Sequence, residues 1–148
     1  HYHYWWGSVA EEVNLSTVEM TLIPALRRAG FEVVDPTAHE LKVDKPYRHL
    51  DLTPPEALRL GKTYGADLVV VGKALATKGA RLLSTSMVSC TATINAKVVD
   101  VRRHRVVAYL SAGGESVHPD PIAGGQEALQ QAARELADKL IAELQQGR

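Results

Sequence analysis

The chain has one cysteine, Cys90, so no internal disulfide can form, and it has no Cys-x-x-Cys or His-Glu-x-x-His spacing around which zinc chemistry could be built. It has no apolar run near the roughly 18 to 20 residues that carry a helix across a bilayer. The opening His-Tyr-His-Tyr-Trp-Trp-Gly-Ser lacks the basic start and apolar middle of a signal peptide. The glycine patterns G-x-x-x-x-G-K-S/T and G-x-G-x-x-G are also missing, which removes the two common phosphate cradles. Nor is there an excess of either charge: 17 Lys and Arg balance 17 Asp and Glu. What remains is a folded domain whose 148 residues can bury a core unaided.

The balance of charge is uneven along the chain. Between Gly72 and Gly114 seven basic side chains (Lys73, Lys78, Arg81, Lys97, Arg102, Arg103 and Arg105) face Asp100 alone, whereas the segments on either side are each net acidic. Such a stretch reads either as solvated strand ends and turns or as a docking surface for an anionic partner.

Hydrophobic periodicity divides the chain into elements. Ser16 and Glu19 have capping-box spacing, and Val18, Leu22, Ala25, Leu26 and Ala29 follow at helical steps. Arg27, Arg28 and Gly30 end that helix, and Pro24 should bend it. Phe31 to Val34 reads as a short strand and residues 36–52 as a long connection holding one helical turn. Thr53, Pro54, Pro55 and Glu56 open a second helix that Gly65 closes. The run Leu68 to Val71 predicts a strand covered on both faces, and Thr77 to Ser84 a turn or irregular loop.

Ala92, Ile94, Ala96 and Val98 then alternate with Thr91, Thr93, Asn95 and Lys97, and a similar alternation from Val106 to Ala112 returns after Arg102, Arg103 and His104. The pair is a β-hairpin with one buried and one wet face. Residues 113–125, dense in glycine and proline, read as a loop, and Leu129, Leu136, Leu140 and Leu144 mark a closing helix from about Gln126 to Gln146. The expected fold is one α/β (α+β) domain over residues 1–148, in the order α-β-α-β-β-β-α, with helices packed on one face of a mixed sheet. Residues 1–15 are expected to be irregular or a truncated first strand.

Three motifs carry a family resemblance. Ala29 to Asp35 holds "G-F-x-V-V-D" after a helix, Gly65 to Gly72 reads "G-A-D-x-V-V-x-G", and Ala96 to Val107 reads "A-x-V-V-D-x-x-x-x-x-V-V". Over roughly residues 16–146 the chain resembles a family of bacterial envelope proteins that includes the N-terminal domain of TolB, the lipoproteins CsgG and LpoB, and the middle domain of FlgT. The resemblance implies an anticodon-binding-like, TolB-N-terminal-like fold and a non-enzymatic assembly or adaptor role in the periplasm or at the outer membrane. It also implies envelope proteins as partners, compatibility with a homo-oligomer, and any lipid anchor upstream of His1. In that family one more strand usually precedes the first helix, and His-Tyr-His-Tyr-Trp-Trp matches it poorly.

The residues nominated for partner binding are Trp5 and Trp6, in an aromatic cluster typical of interface anchors; Tyr47 and Arg48, in the long connection; and Arg102, Arg103 and Arg105, at the hairpin turn. No catalytic, cofactor-binding or metal-binding residue is nominated. His39, His49, His104 and His118 read as surface residues, Cys90 as a small core residue, and the glycine pairs at 113–114 and 124–125 as turns. Two alternatives stand beside the adaptor reading: nucleic-acid binding through the basic hairpin, and metal binding, for which His1 and His3 could hold copper if His1 were the mature N-terminus.

Overall fold

The computed structural model describes residues 2–8, 15–34, 54–82 and 85–146. Its elements are β1 (Tyr2–Ser8), α1 (Leu15–Arg28), β2 (Val33–Val34), α2 (Pro54–Tyr64), β3 (Leu68–Arg81), β4 (Val88–Asp100), β5 (Arg105–His118) and α3 (Pro121–Gln146). From α1 onward this is the expected order. The long connection assigned to residues 36–52 lies outside the described residues.

Both short helices end as their glycines predict. At the end of α1 the Phe31 N–H donates to Leu26 O and the Gly30 N–H to Arg27 O, with Gly30 at φ 94°. Ala66 and Gly65 make the same pair of bonds to Gly61 and Lys62 behind α2, with Gly65 at φ 66°. These are Schellman caps, which satisfy carbonyls that the helix leaves unpaired. Phe31 and Leu26, the two apolar residues that such a cap brings together, are both buried. α1 runs on through Pro24, which faces solvent near its end.

The sheet has five strands in the order β2-β1-β3-β4-β5. β1 lies parallel to both β2 and β3, and β3, β4 and β5 form an antiparallel meander. The first correction to the sequence reading is therefore β1 itself. A segment expected to be irregular or a truncated first strand holds a seven-residue interior strand, second in the sheet, paired from Tyr2 with Leu68 to Ser8 with Ala74. Pairing on both sides compensates for a sequence that lacks a clean strand alternation.

Helices cover both faces, where one was expected. α1 and α3 share a core with the inward residues of β3, β4 and β5, among them Leu22, Ile94, Leu129, Leu136 and Leu140. α2 packs on the opposite face over a smaller cluster of Ala57, Ala66, Val69, Val71, Val99 and Val101. The Val-Val run of β3 is thus buried on both faces, as a continuous β-branched run predicts.

Two segments read as loops are regular structure. β3 continues through Thr77 and Lys78, which pair with Thr91 and Cys90, and reaches Arg81 after an irregularity; the Thr77 and Thr91 hydroxyls bond across the strands at 2.7 Å. The glycine-rich stretch 113–125 splits between the end of β5 and the first turn of α3. Gly114 and Gly124 serve close packing and not a bend. A Cβ on Gly114 would collide with the Ala128 carbonyl oxygen and lie 2.8 Å from Ala132 N, and one on Gly124 would lie 2.8 Å from Cys90 Sγ. The helix start was also written there: Asp120 accepts from the Ile122 and Ala123 N–H groups at 3.1 and 3.4 Å, with Pro121 in the first helical position.

Candidate functional site

The wet face of the hairpin is a side-chain surface that the described helices leave partly open. Pleating puts every second residue of a strand on one face, and register sets which of them are neighbours across strands. Four rows result. Val71, Lys97 and Tyr109 form the first; Lys73, Asn95 and Ser111 the second; Leu75, Thr93 and Gly113 the third; Thr77, Thr91 and Glu115 the fourth. α2 covers Val71, and among the described residues no helix covers the face beyond it: Tyr109 is 72% exposed and Leu75 44%.

Where α2 gives way to bare sheet there is a shallow groove of about 400 Å³, lined by the first two rows with Gly72, Ala96 and Leu110 beneath. Its floor is apolar and its rim carries the lysines 73 and 97, Asn95, the Ser111 hydroxyl and the Tyr109 phenol. Lys73 and Lys97 stand diagonally across two paired strands.

Part of the edge beside this face, from Ser111 to Glu115, is closed. Three α3 side chains, one per helical turn, bond to outward main-chain groups of β5: the Glu115 N–H donates to Gln131 Oε1 at 3.3 Å and the Gly113 N–H to Glu135 Oε2 at 3.1 Å. Lys139 Nζ donates to Ser111 O at 2.8 Å. Lys139 and Glu135 also form an ion pair at 3.0 Å. The Gly113 N–H, and after it Lys139, hold the Glu135 carboxyl below the usual carboxylate range. A free strand edge is a template for another strand, and here α3 occupies it.

The nominated residues fall in three separate parts of the chain. Arg102, Arg103 and Arg105 do share the β4–β5 turn, but Arg102 pairs with Asp67 at 3.0 Å and Arg103 with Asp100 at 3.8 Å. The Asp100 carboxylate also accepts the Arg103 N–H at 2.9 Å, and His104 holds a left-handed φ of 55°. These arginines line a charged hollow of about 710 Å³ together with Asp67, Asp100 and Glu143, so much of the turn's positive charge meets acid from the same chain. Trp5 and Trp6 lie in β1, where the backbone pairs them with Val71 and Gly72. Tyr47 and Arg48 lie outside the described residues. His118 accepts the Asp120 N–H at Nδ1, and Cys90 is buried with its thiol directed at Pro121 O. Among the described residues no three His, Cys, Asp or Glu side chains gather where a metal ion could sit.

Asn95 and Tyr109 were not singled out from sequence, and Lys73 and Lys97 entered only as part of the basic stretch. Their signal was present as the polar half of two strand alternations; what alternation cannot tell is which wet face a helix later covers.

No protein-family model matches the chain, and no curated protein matches it by sequence. Solved structures do match its fold. Lipoprotein GNA1162 from Neisseria meningitidis is 15% identical with a TM-score of 0.59, the match covering 97% of this chain and 99% of that one. A candidate lipoprotein from Caulobacter crescentus is 14% identical with a TM-score of 0.52, over 99% of this chain and 88% of that one. PelC from Paraburkholderia phytofirmans, a dodecamer, is 15% identical with a TM-score of 0.51, over 97% and 85%. The chain has the fold of these bacterial proteins.

Proposed function

We propose that this chain is a non-enzymatic binding and assembly module of the bacterial cell envelope, periplasmic or held at the outer membrane by a lipid anchor. The observation that carries this reading is the fold match to a lipoprotein along nearly the full length of both chains. The described side chains support it. The exposed face presents lysines, hydroxyls, an amide and one aromatic ring on a flat sheet, a surface suited to contact. Resemblance of its motifs to the TolB, CsgG, LpoB and FlgT family adds the adaptor role. Self-association belongs to the same reading, since one fold neighbour is a dodecamer.

The test is fractionation of cells producing the natural gene product from its own promoter, with immunoblotting and metabolic labelling by a palmitate analogue. Recovery in the envelope fraction is expected. Recovery in the cytoplasm, with no label, would overturn the assignment. The adaptor part is tested by photo-crosslinking from position 109: discrete adducts with envelope proteins that disappear in a Lys73→Ala, Lys97→Ala variant are expected, and their absence counts against it.

A further inference from the structure

We propose that the hollow beside the β4–β5 turn binds the head group of a zwitterionic phospholipid, a phosphate and an ammonium joined by a short link, presented at a bilayer surface. The first observation that selects this ligand is a pair of unmatched charges. Arg102 and Arg103 in the wall are paired with Asp67 and Asp100. Arg105 from β5 and Glu143 from α3 line the same hollow, yet neither side chain has an ion-pair or hydrogen-bond partner among the described residues, and they do not pair with each other. Two opposite charges held apart are complementary to a ligand that carries the reverse pair. A guanidinium fork matches phosphate oxygens, and a carboxylate accepts from an ammonium. A simple anion is a poorer match, because three acids stand against the three arginines. Arg102 can join Arg105 on the phosphate: its side chain is 82% exposed, and an ion pair that exposed is worth little to keep.

The second observation is the apolar part of the lining, Leu68, Val98, Val106, Val107 and Leu144. Val107, the extra residue where the β4–β5 register shifts, stays 39% exposed. Methylene groups next to a head group gain contact with such a surface, which a free phosphate ester lacks. The third is position. The hollow lies at the end of the sheet where β1 begins, since Tyr2 pairs with Leu68 and Leu68 with Asp100. On the envelope reading, a lipid anchor upstream of His1 tethers the molecule by this end and brings the hollow to the bilayer. That step alone rests on the envelope reading; the charges and the lining do not.

The test is an NMR titration of the isotope-labelled, unlipidated chain with dihexanoyl phosphatidylethanolamine below its micelle concentration. Dihexanoyl phosphatidylglycerol, O-phosphoethanolamine and dialanine serve as comparisons. Saturable shifts at the amides of residues 68, 105, 106, 107, 143 and 144 are expected with the first. Phosphatidylglycerol, which lacks the ammonium, and O-phosphoethanolamine, which lacks the acyl chains, should each bind about tenfold more weakly. Arg105→Ala should lower affinity for both lipids about tenfold. Glu143→Gln should lower it for phosphatidylethanolamine alone and so erase the preference between the two. Lys97→Ala, on the sheet face, leaves binding unchanged, and circular dichroism confirms that each variant is folded. The proposal is overturned if no saturable shift is seen, if any of the three comparison compounds binds as tightly, or if the shifts gather at the groove of Lys97 and Tyr109. Cell fractionation decides the envelope reading separately, so either can fail without the other.

Discussion

At Gly113 and Gly114 two adjacent glycines have opposite meanings. Gly114 faces α3, and a methyl group there would be driven into the backbone of Ala128 and Ala132. Gly113 faces outward, and its added Cβ would meet only Ala92 O at 3.6 Å. Gly114→Ala should therefore cost about 1–3 kcal/mol, the usual range for overpacking. Gly113→Ala should be neutral or slightly stabilising, since glycine inside a strand gives up conformational entropy. Urea unfolding of the two variants followed by circular dichroism measures the contrast; equal losses would contradict the packing described. Glu135 supplies the pH-dependent residue. Its folded-state pKa is depressed, so the stability it contributes is present above the unfolded value of about 4.3 and disappears as pH falls through the lower folded value. The Gly113 amide proton should report that titration by NMR, with a midpoint below the ordinary value. A midpoint at or above it would mean that the bond is not held in solution.

At the scale of elements, α3 both fills the core and closes the edge of β5. Replacing Gln131, Glu135 and Lys139 together by Ala leaves the apolar stripe of Leu129, Leu136 and Leu140 untouched but frees three main-chain groups of an edge strand. Concentration-dependent association in sedimentation velocity, with faster amide exchange at Gly113 and Glu115, is the expected result. Leu136→Ala, by contrast, should destabilise by about 2–5 kcal/mol and leave the edge bonded, as chemical denaturation can check. The elements most legible in the sequence were those with one dry face, α3 and the β4–β5 hairpin, because their period is set by a single partner layer. Those misread had other determinants. β1 owes its strand to neighbours on both sides, and the start of α3 was obscured because the Asp-Pro pair that begins it sits among glycines needed for tight contact.

Across the whole molecule, the two cores differ in size. The α1–α3 side joins residues from six elements, whereas α2 rests on a small cluster dominated by valine and alanine. Local opening should follow that difference. Native-state hydrogen exchange is expected to show α2 amides opening at lower denaturant than those of β4 and α3, and a single common opening for all three would exclude it. Scale also explains how the basic stretch is distributed. A run contiguous in sequence spreads along a hairpin whose strands extend roughly 40 Å, so Arg102, Arg103 and Arg105 sit at the turn, Lys78 and Arg81 toward the other end, and Lys73 and Lys97 on the face between. The position of β1 has a kinetic consequence. Beyond the short pairing of Tyr2 and His3 with Val33 and Val34, β1 finds its long partner only once Leu68 through Ala74 have been synthesised, and that contact closes a long stretch of chain. The β3–β4–β5 meander, whose neighbours are close in sequence, is therefore the natural nucleus. β1, made before the strand it joins, is then among the last elements to take its place, inserted between two others as folding ends.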